Sequence, residues 1–392
     1  MAKSVFIVGA ARTPIGTFQG ALSTLAAPHL GATAIKSALS RAGVQGTQIE
    51  ECIMGQVLTA GVGQAPARQA AIYAGLPTSV ACMTINKVCG SGLKALMLAS
   101  DSIQLGNCEI AIAGGQENMS LAPHLLENSR TGYRLGPIIA ADSMVKDGLW
   151  DPYNNFHMGT AAEMCVREYK FTREEQDAFA IESYTRAQKS IKEGVFKDEI
   201  AEVEVKAGKE VVRVIQDEEP FKAKFDKIPQ LKPAFDKDGT ITAANASKIN
   251  DGAAALVLAS EDKVKGQKLK PLARIVSHAT FAQDPKWFTT APVGAIKRAL
   301  EKAQLKASDI GLFEINEAFA CVTMAAIRDL SLDPAKVNAL GGAVALGHPI
   351  GASGARLMTT LVYALKNQNL RYGLATLCIG GGEAVAVIIE RA

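Results

Sequence analysis

The 392-residue chain carries little net charge: 42 Lys and Arg against 39 Asp and Glu leave +3, with both signs interspersed. It has no basic stripe and no run of basic residues interleaved with aromatics, so the electrostatic footprint of a nucleic-acid binder is missing. Long hydrophobic runs are missing too. The longest clean ones, such as Ala253 to Ala259, fall far short of the roughly 20 residues that span a bilayer. Neither a nucleic acid nor a membrane is therefore expected as a partner. Seven cysteines, an odd number without paired spacing, make no disulfide framework, and no Cys-x-x-Cys or His-x-x-x-His pair suggests a metal site. The chain goes straight into a strand-like Val5-Phe6-Ile7-Val8, and no signal or transit segment is expected before it. A protein of a reducing, cytoplasmic compartment is expected. What the chain does have is apolar sequence, 48% of it, enough for a large core and for two or three domains of ordinary size.

Its segments alternate between strand and helix patterns. Residues 3–16 read as a strand closed by the turn Thr13-Pro14-Ile15-Gly16, Ala34 to Ala42 as a helix, and Cys52-Ile53-Met54 as a short buried strand. A helical pattern of Leu93, Leu96, Met97 and Ile103 precedes a strand, Glu109 to Gly115, that ends in glycines. Such alternation predicts βαβ units and a largely parallel sheet. Between about 120 and 245 the texture changes. Thr172-Arg-Glu-Glu175 is a capping box that opens a helix with Ile181, Tyr184 and Ala187 on its apolar face. Residues 192–238, dense in mixed charge and broken by Pro220, Pro229 and Pro233, read as an irregular solvated excursion. Apolar strand sequence returns at Asp251 to Leu258, and Glu261 to Lys270 reads as a charged linker.

The second half then repeats the first. Lys36 to Ala42 matches Lys297 to Ala303, Ile49 matches Ile310, Ser91-Gly92 matches Ser353-Gly354, and Ala113-Gly114-Gly115 matches Ile379-Gly380-Gly381. Register held across several elements argues for two related α/β halves. The boundaries expected are an N-terminal half of 1–119 plus 246–270, an inserted loop domain of 120–245, and a C-terminal half of 271–392.

Chemistry concentrates at a few points. Asn86-Lys-Val-Cys-Gly-Ser-Gly92 puts Cys89 just before a Gly-Ser-Gly turn and a helix, where free N–H groups and the helix dipole favour a thiolate. Flanking glycines let another molecule approach the backbone closely. The bland reading of such a cysteine is a small packing residue. The second half has no cysteine at the equivalent turn. It carries His348 among glycines in Gly341 to Gly354, Asn316-Glu-Ala-Phe319, and Cys378 before Gly380-Gly-Gly382. Alone, His348 and Cys378 are as readily structural, and the three glycines suit either a phosphate cradle or a tight strand end. Together they suit acyl transfer: a cysteine nucleophile, a histidine to deprotonate it, a second cysteine as acid/base, and backbone N–H groups for an oxyanion. A second thiol is unusual in a hydrolase, which needs only one nucleophile and a water, but it fits a reaction in which a carbon acid loses a proton in a dry site.

The chain resembles the thiolases, most closely the acetyl-CoA acetyltransferases that condense two acetyl-CoA molecules. The resemblance runs essentially end to end. It rests on Asn86 to Gly92, His157-Met-Gly-Thr-Ala-Ala-Glu163, Thr242-Ala-Ala-Asn-Ala-Ser247, Asn316-Glu-Ala-Phe-Ala320, Gly347-His-Pro-Ile-Gly-Ala-Ser-Gly354 and Cys378-Ile-Gly-Gly-Gly382. It implies an α/β thiolase-like fold, two duplicated halves in a layered αβαβα arrangement with an inserted CoA-binding loop domain, and a homotetramer built as a dimer of dimers. It implies Cys89 as nucleophile, His348 as its base, Cys378 as the residue that takes the α-proton of a second acetyl-CoA, Asn316 positioning a water at the enolate, and N–H groups near Cys89 and Gly380 for the oxyanion. His157, Met158, Phe235, Ser247, Ala318 and Phe319 would line the pantetheine channel. No metal or redox cofactor is implied; coenzyme A is substrate and product.

Three departures from the family pattern bear on specificity. Phe221 and Lys222, Lys224 and Lys227 stand where an arginine is common near the nucleotide. Gly382-Glu383-Ala384 replaces Gly-Met-Gly at the glycine strand, and Trp287-Phe-Thr-Thr-Ala-Pro292 replaces Met-Gly-x-Gly-Pro beside the channel. The rival readings are a degradative 3-ketoacyl-CoA thiolase of longer-chain preference and, from another class, a non-catalytic lipid-carrier or scaffold on the same fold. The latter should have lost one of Cys89, His348 or Cys378, and none is missing.

Overall fold

A computed structural model describes residues 3–392. The first half runs β1 (Val5–Arg12), α1 (Ala27–Ala42), β2 (Glu51–Gly55), α2 (Pro66–Tyr73), β3 (Ala81–Ile85), α3 (Ser91–Gln104) and β4 (Ile110–Asn118). An insert then carries α4 (Met158–Tyr169) and α5 (Arg173–Lys192), before β5 (Asn250–Ser260) and α6 (Glu261–Gly266). The second half runs β6 (Ala273–Ala282), α7 (Ala291–Ala303), β7 (Leu312–Ile315), α8 (Ala320–Leu330), α9 (Ala343–Leu346), α10 (Ser353–Asn367), β8 (Tyr372–Ile379) and β9 (Glu383–Arg391).

The strands pair in the order β7-β8-β9-β6-β1-β5-β4-β2-β3, with the short strand Gly16–Thr17 also on β5. Read outward from the β1/β6 contact, β1-β5-β4-β2 on one side mirrors β6-β9-β8-β7 on the other. That contact is two residue pairs long, Phe6 with Arg274 and Ile7 with Ala273. The repeat seen in the sequence is thus a repeat of topology. The sheet is mixed, however, where a largely parallel one was expected. β2 runs parallel to β3 and β4, and β7 to β8, as their helical crossovers require. β5 and β9 run antiparallel to their neighbours. β9 follows β8 through only Gly380 to Gly382, too short a connection for a crossover.

Three clusters of buried side chains fix the layers. α1 and α2 cover the outer face of the first half with Leu30, Ile35, Ala67 and Ala71 against Val8, Met54, Ile112 and Val257. α7 covers the outer face of the second half with Ile296 and Leu300 against Leu374 and Ile388. Between the two halves lie α3 and α10, whose Leu93, Leu96, Leu357 and Leu361 meet Ala113, Leu256, Leu377 and Val387 from both inner faces. α10 is therefore buried at every residue from Ser353 to Leu365. Gly92 and Gly354 make this close crossing possible, since a Cβ at Gly354 would lie 2.4 Å from the Leu93 nitrogen.

Three local readings change. β4 does not end at its glycines: it continues through Gln116, Glu117 and Asn118 because β5 pairs with it as far as Asp251. The linker at Glu261 begins as α6, capped by the Ser260 side chain and opened by Glu261 and Asp262 against the helix dipole. Within the irregular 192–238 stretch, Val203–Ala207 and Glu210–Val214 form a hairpin that buries Val203 and Val205. Two alternating residues in a charged stretch were too weak a pattern to reveal it.

The insert is held by a buried charge cluster. The Arg12 guanidinium, wholly buried at the end of β1, donates to Glu199 Oε1 at 2.6 Å and to both oxygens of Asp217 at 2.7 and 2.9 Å. Burial opposes its charge, but Asp217 and Glu199 outweigh that and keep it protonated. Removing one member of such a cluster strands the others, at about 3–5 kcal/mol. Arg12→Met is expected to lose that much in urea unfolding, and a loss under about 1 kcal/mol would show that the cluster does not hold the insert.

Candidate active site

Cys89 lies where the sequence put it, one residue before the Gly90 cap of α3. A web of local bonds shapes the turn. The Val88 N–H donates to Asn86 Oδ1 (2.9 Å), Lys87 N–H to Ser91 Oγ (2.8 Å), and Ser91 Oγ to the Val88 carbonyl (2.6 Å). Val88 is held at φ +43°, a left-handed conformation costly for a β-branched residue. The neighbouring glycines serve the protein rather than an incoming molecule. A Cβ at Gly90 would lie 2.3 Å from Ile379 Cδ1, and one at Gly92 2.8 Å from the Ala355 nitrogen.

The three glycines after Cys378 are the turn between β8 and β9, not a phosphate cradle. Gly381 and Gly382 adopt φ of +90° and +83°, and a Cβ at Gly382 would lie 2.4 Å from the Gln283 carbonyl. This turn presents the Gly380 N–H to the Cys89 sulfur, alongside the Cys89 N–H. Both favour a thiolate, yet burial outweighs them and pushes the thiol up to about 11. The helix mouth alone does not ionise Cys89, contrary to expectation, because the partial burial of the sulfur disfavours the charge more than the two N–H groups favour it.

His348 follows Gly347 (φ +108°) and is placed by Asn250, whose Oδ1 accepts its backbone N–H at 2.9 Å. Its Nδ1 lies 2.5 Å from Ser353 Oγ, and that hydroxyl's own proton goes to the Pro349 carbonyl at 3.0 Å. Nδ1 is therefore the protonated ring nitrogen, and Nε2 is the acceptor. Asn316 Nδ2 stands 3.4 Å from Nε2, while Asn316 Oδ1 is buried with no partner among the described residues. Burial, then the Arg356 charge, lowers the His348 pKa to about 3. A neutral thiol thus faces a neutral imidazole.

Cys89, His348 and Gly380 open on one cavity, whose other walls include His157, Met158, Phe235, Ser247, Ala318 and Phe319. All six expected channel residues are there. His157 caps α4 by accepting the Gly159 N–H on Nδ1 at 3.0 Å, which leaves its Nε2–H as a donor, and burial lowers its pKa. Its ring stacks on Phe235 at 5.0 Å, and Phe235 meets Phe319 edge-on at 5.8 Å. Ser247 is fixed through its N–H to the Ala318 carbonyl at 2.9 Å. Asn316 and Cys378 do not line the cavity but sit just behind it. Cys378 is fully buried among Met158, Ala318, Phe319, Cys165 and Cys321; burial first, then the Cys89 and Cys165 sulfurs, raises its pKa well above the ordinary thiol range.

Sequence reasoning missed the residues that hold these groups. Glu117 accepts from the N–H groups of Val57, Leu58 and Gly351, tying the loop after β2 to the loop after His348, and burial raises its pKa to about 7. Glu163 and Glu317, both inside recognised motifs, are likewise anchors: Glu163 accepts from Thr240 and Ile241, Glu317 from Ser183, Asn338 and the Val344 N–H. A buried glutamate in an apolar stretch was the available signal. Of the Trp287 segment, only Phe288 reaches the cavity; Trp287 lines a separate outer groove with Tyr169 and Arg328. Lys222, Lys224 and Lys227 border a second pocket beside the cavity, with Ala243 and Ala244. Among the described residues, no cluster of three or more His, Cys, Asp or Glu could hold a metal ion, and no helix is long and apolar enough to cross a membrane.

Residues 5–262 match the thiolase N-terminal domain and residues 269–391 the thiolase C-terminal domain. An acetyl-CoA acetyltransferase of Cupriavidus necator is 53% identical over 389 residues, 99% of each chain. One from Pseudomonas aeruginosa is 50% identical over 391 residues, 99% of this chain and all of the relative. One from the yeast Yarrowia lipolytica is 53% identical over 389 residues, 99% of this chain and 97% of the relative.

Proposed function

The chain belongs to the thiolase family, and from that premise we propose that it is an acetyl-CoA C-acetyltransferase, condensing two acetyl-CoA to acetoacetyl-CoA and CoA, reversibly. Full-length relatives that carry this name support the reading. The observation that carries it is the convergence of Cys89, His348 and Gly380 on one cavity, with Cys378 buried behind.

In the first step His348 Nε2 takes the Cys89 proton as sulfur attacks the thioester carbonyl. The Cys89 and Gly380 N–H groups meet the oxyanion, worth about 10²–10³ in rate for such a donor. The C–S bond to CoA breaks, leaving acetyl-Cys89, and the departing sulfur takes the proton that the raised pKa keeps on Cys378. Cys378, now a thiolate, removes an α-proton from the second acetyl-CoA. Its enolate oxygen is met by His348 and by a water that donates its other proton to Asn316 Oδ1, which has no partner among the described residues. The enolate carbon attacks the acetyl carbonyl, a C–C bond forms, the Cys89 C–S bond breaks, and the departing Cys89 sulfur takes back the proton held on His348, which restores the neutral pair. Run backwards, the same steps cleave acetoacetyl-CoA with CoA. The apolar aromatic wall suits pantetheine, and the His157 Nε2–H is a donor for one of its carbonyls.

A homotetramer is proposed on separate grounds. Edge strand β3 leaves Met83 half exposed, and the 121–139 loop exposes Leu126, Leu135, Ile138 and Ile139, apolar surface of a kind that proteins cover with partners. A cytoplasmic setting is supported by seven cysteines that are all free.

The test compares thiolysis of acetoacetyl-CoA with that of 3-ketooctanoyl-CoA, with iodoacetamide labelling mapped by mass spectrometry. Fast cleavage of the short substrate, weak cleavage of the long one, and acetyl-CoA protecting Cys89 from label are expected. Preference for the longer chain would make it a degradative thiolase, and no turnover with Cys89 inert would sink the catalytic reading.

A further inference from the structure

Helix α9 is a single turn, and the chain leaves it at Gly347, so the His348 N–H that would have returned to the Val344 carbonyl goes to Asn250 instead. A carbonyl stranded at a helix end needs a donor. It finds one far along the chain: Lys248 Nζ donates to the Val344 carbonyl at 3.0 Å and to the Ala246 carbonyl at 2.9 Å. Ala246 in turn bridges to Phe319, and Ser247 bonds Ala318, so the same segment carries part of the cavity wall. Residue 344 is gripped from the other side too, its N–H donating to Glu317 at 3.1 Å.

We propose that Lys248 is a positioning residue, whose ammonium locks the substrate-lining segment 246–249 to the turn that delivers His348. The proposal rests on the reading of this cavity as the thiolase active site. A lysine suits the place because it offers several donors on a long stem, and both acceptors are uncharged carbonyls. The Tyr184 ring stands 5.3 Å from Nζ, and the Glu219 and Glu317 carboxylates favour its charge against a burial that lowers its pKa to about 8. Lys222, Lys224 and Lys227 share the neighbouring pocket. Lys248 lines both that pocket and the catalytic cavity, so it stands at the wall between them. Because a misplacement of about 1 Å in a catalytic group costs up to about 10²-fold, the brace acts on rate rather than on fold alone.

The experiment measures iodoacetamide alkylation of Cys89, which reports the Cys89–His348 geometry without any CoA substrate, beside the kcat of acetoacetyl-CoA thiolysis. Lys248→Met, which keeps the stem and loses the donors, is expected to slow both by about ten- to a hundredfold. Lys248→Ala is expected to do the same and to recover on adding methylammonium, which fits the vacated site, but not with tetramethylammonium, which has no N–H. Wild-type rates in Lys248→Met would overturn the proposal. So would slow alkylation in Lys248→Ala that methylammonium leaves unchanged, since that marks a merely structural loss. A wild-type chain that fails to cleave acetoacetyl-CoA would sink the functional reading, and the alkylation rates would still decide the role of Lys248.

Discussion

Cys378→Ala is expected to abolish carbon–carbon bond chemistry while Cys89 continues to exchange acetyl groups with CoA. The two half-reactions ask different things of the buried thiol. Exchange needs only a thiolate leaving group, and an ordinary thiol with a pKa of about 8.5 departs without help, so a loss of no more than about tenfold is expected. Enolisation needs a base at the α-carbon, and general-base catalysis is worth about 10²–10⁴. Cys378 is fully buried, and its raised pKa makes it a strong base once its proton has gone. Exchange of labelled CoA into acetyl-CoA reads the first half-reaction, and acetoacetyl-CoA formation reads the sum. Equal losses in both would place Cys378 in the structural core, and intact condensation would remove it from the mechanism.

The second large effect concerns the protonation of the resting pair. With Cys89 pushed up to about 11 and His348 lowered to about 3, thiol and imidazole are both neutral between those values. In the wild type, acetylation of Cys89 needs the unprotonated imidazole and the protonated thiol together. Its rate should then be flat from about pH 5 to pH 9. Removing the base changes the slope. In His348→Ala only the thiolate fraction reacts, about 10⁻⁴ at pH 7 for a thiol near 11. Acetylation should fall by about three to four orders of magnitude and climb tenfold per pH unit until it levels near 11. Burst release of CoA from acetyl-CoA measures it. A wild-type rate that changes steeply within that range, or a His348→Ala variant with a flat profile, would show instead that Cys89 is already a thiolate at rest.

Both experiments depend on residues that are far apart in the chain, and this marks the limit of what the sequence could show. Local signals were legible. The turn before α3, the capping box of α5 and the repeat of helix and strand patterns each arise from neighbours within a few residues, where propensity, capping and periodicity act. Cys89 could be placed at a helix mouth on those grounds, and duplication made His348 and Cys378 conspicuous because the first half lacks counterparts. The resemblance to the thiolases supplied the channel residues, and all six line the cavity.

What the chain order could not reveal was set by burial and by contacts across more than a hundred residues. Strand direction in β5 and β9 depends on how the connections close, so the mixed sheet was not visible in an alternating pattern. The glycines around Cys89 are required by Ile379 and Ala355, which only the fold brings near. Glu117, Ser353 and Lys248 bear no mark of their roles, since each acts by satisfying backbone or ring groups from distant segments. The ionisation of the site was the largest such decision. Helix position pointed to a thiolate at Cys89; the tertiary structure favours the thiol, because the burial that packing around α3 imposes on the sulfur outweighs its two N–H donors.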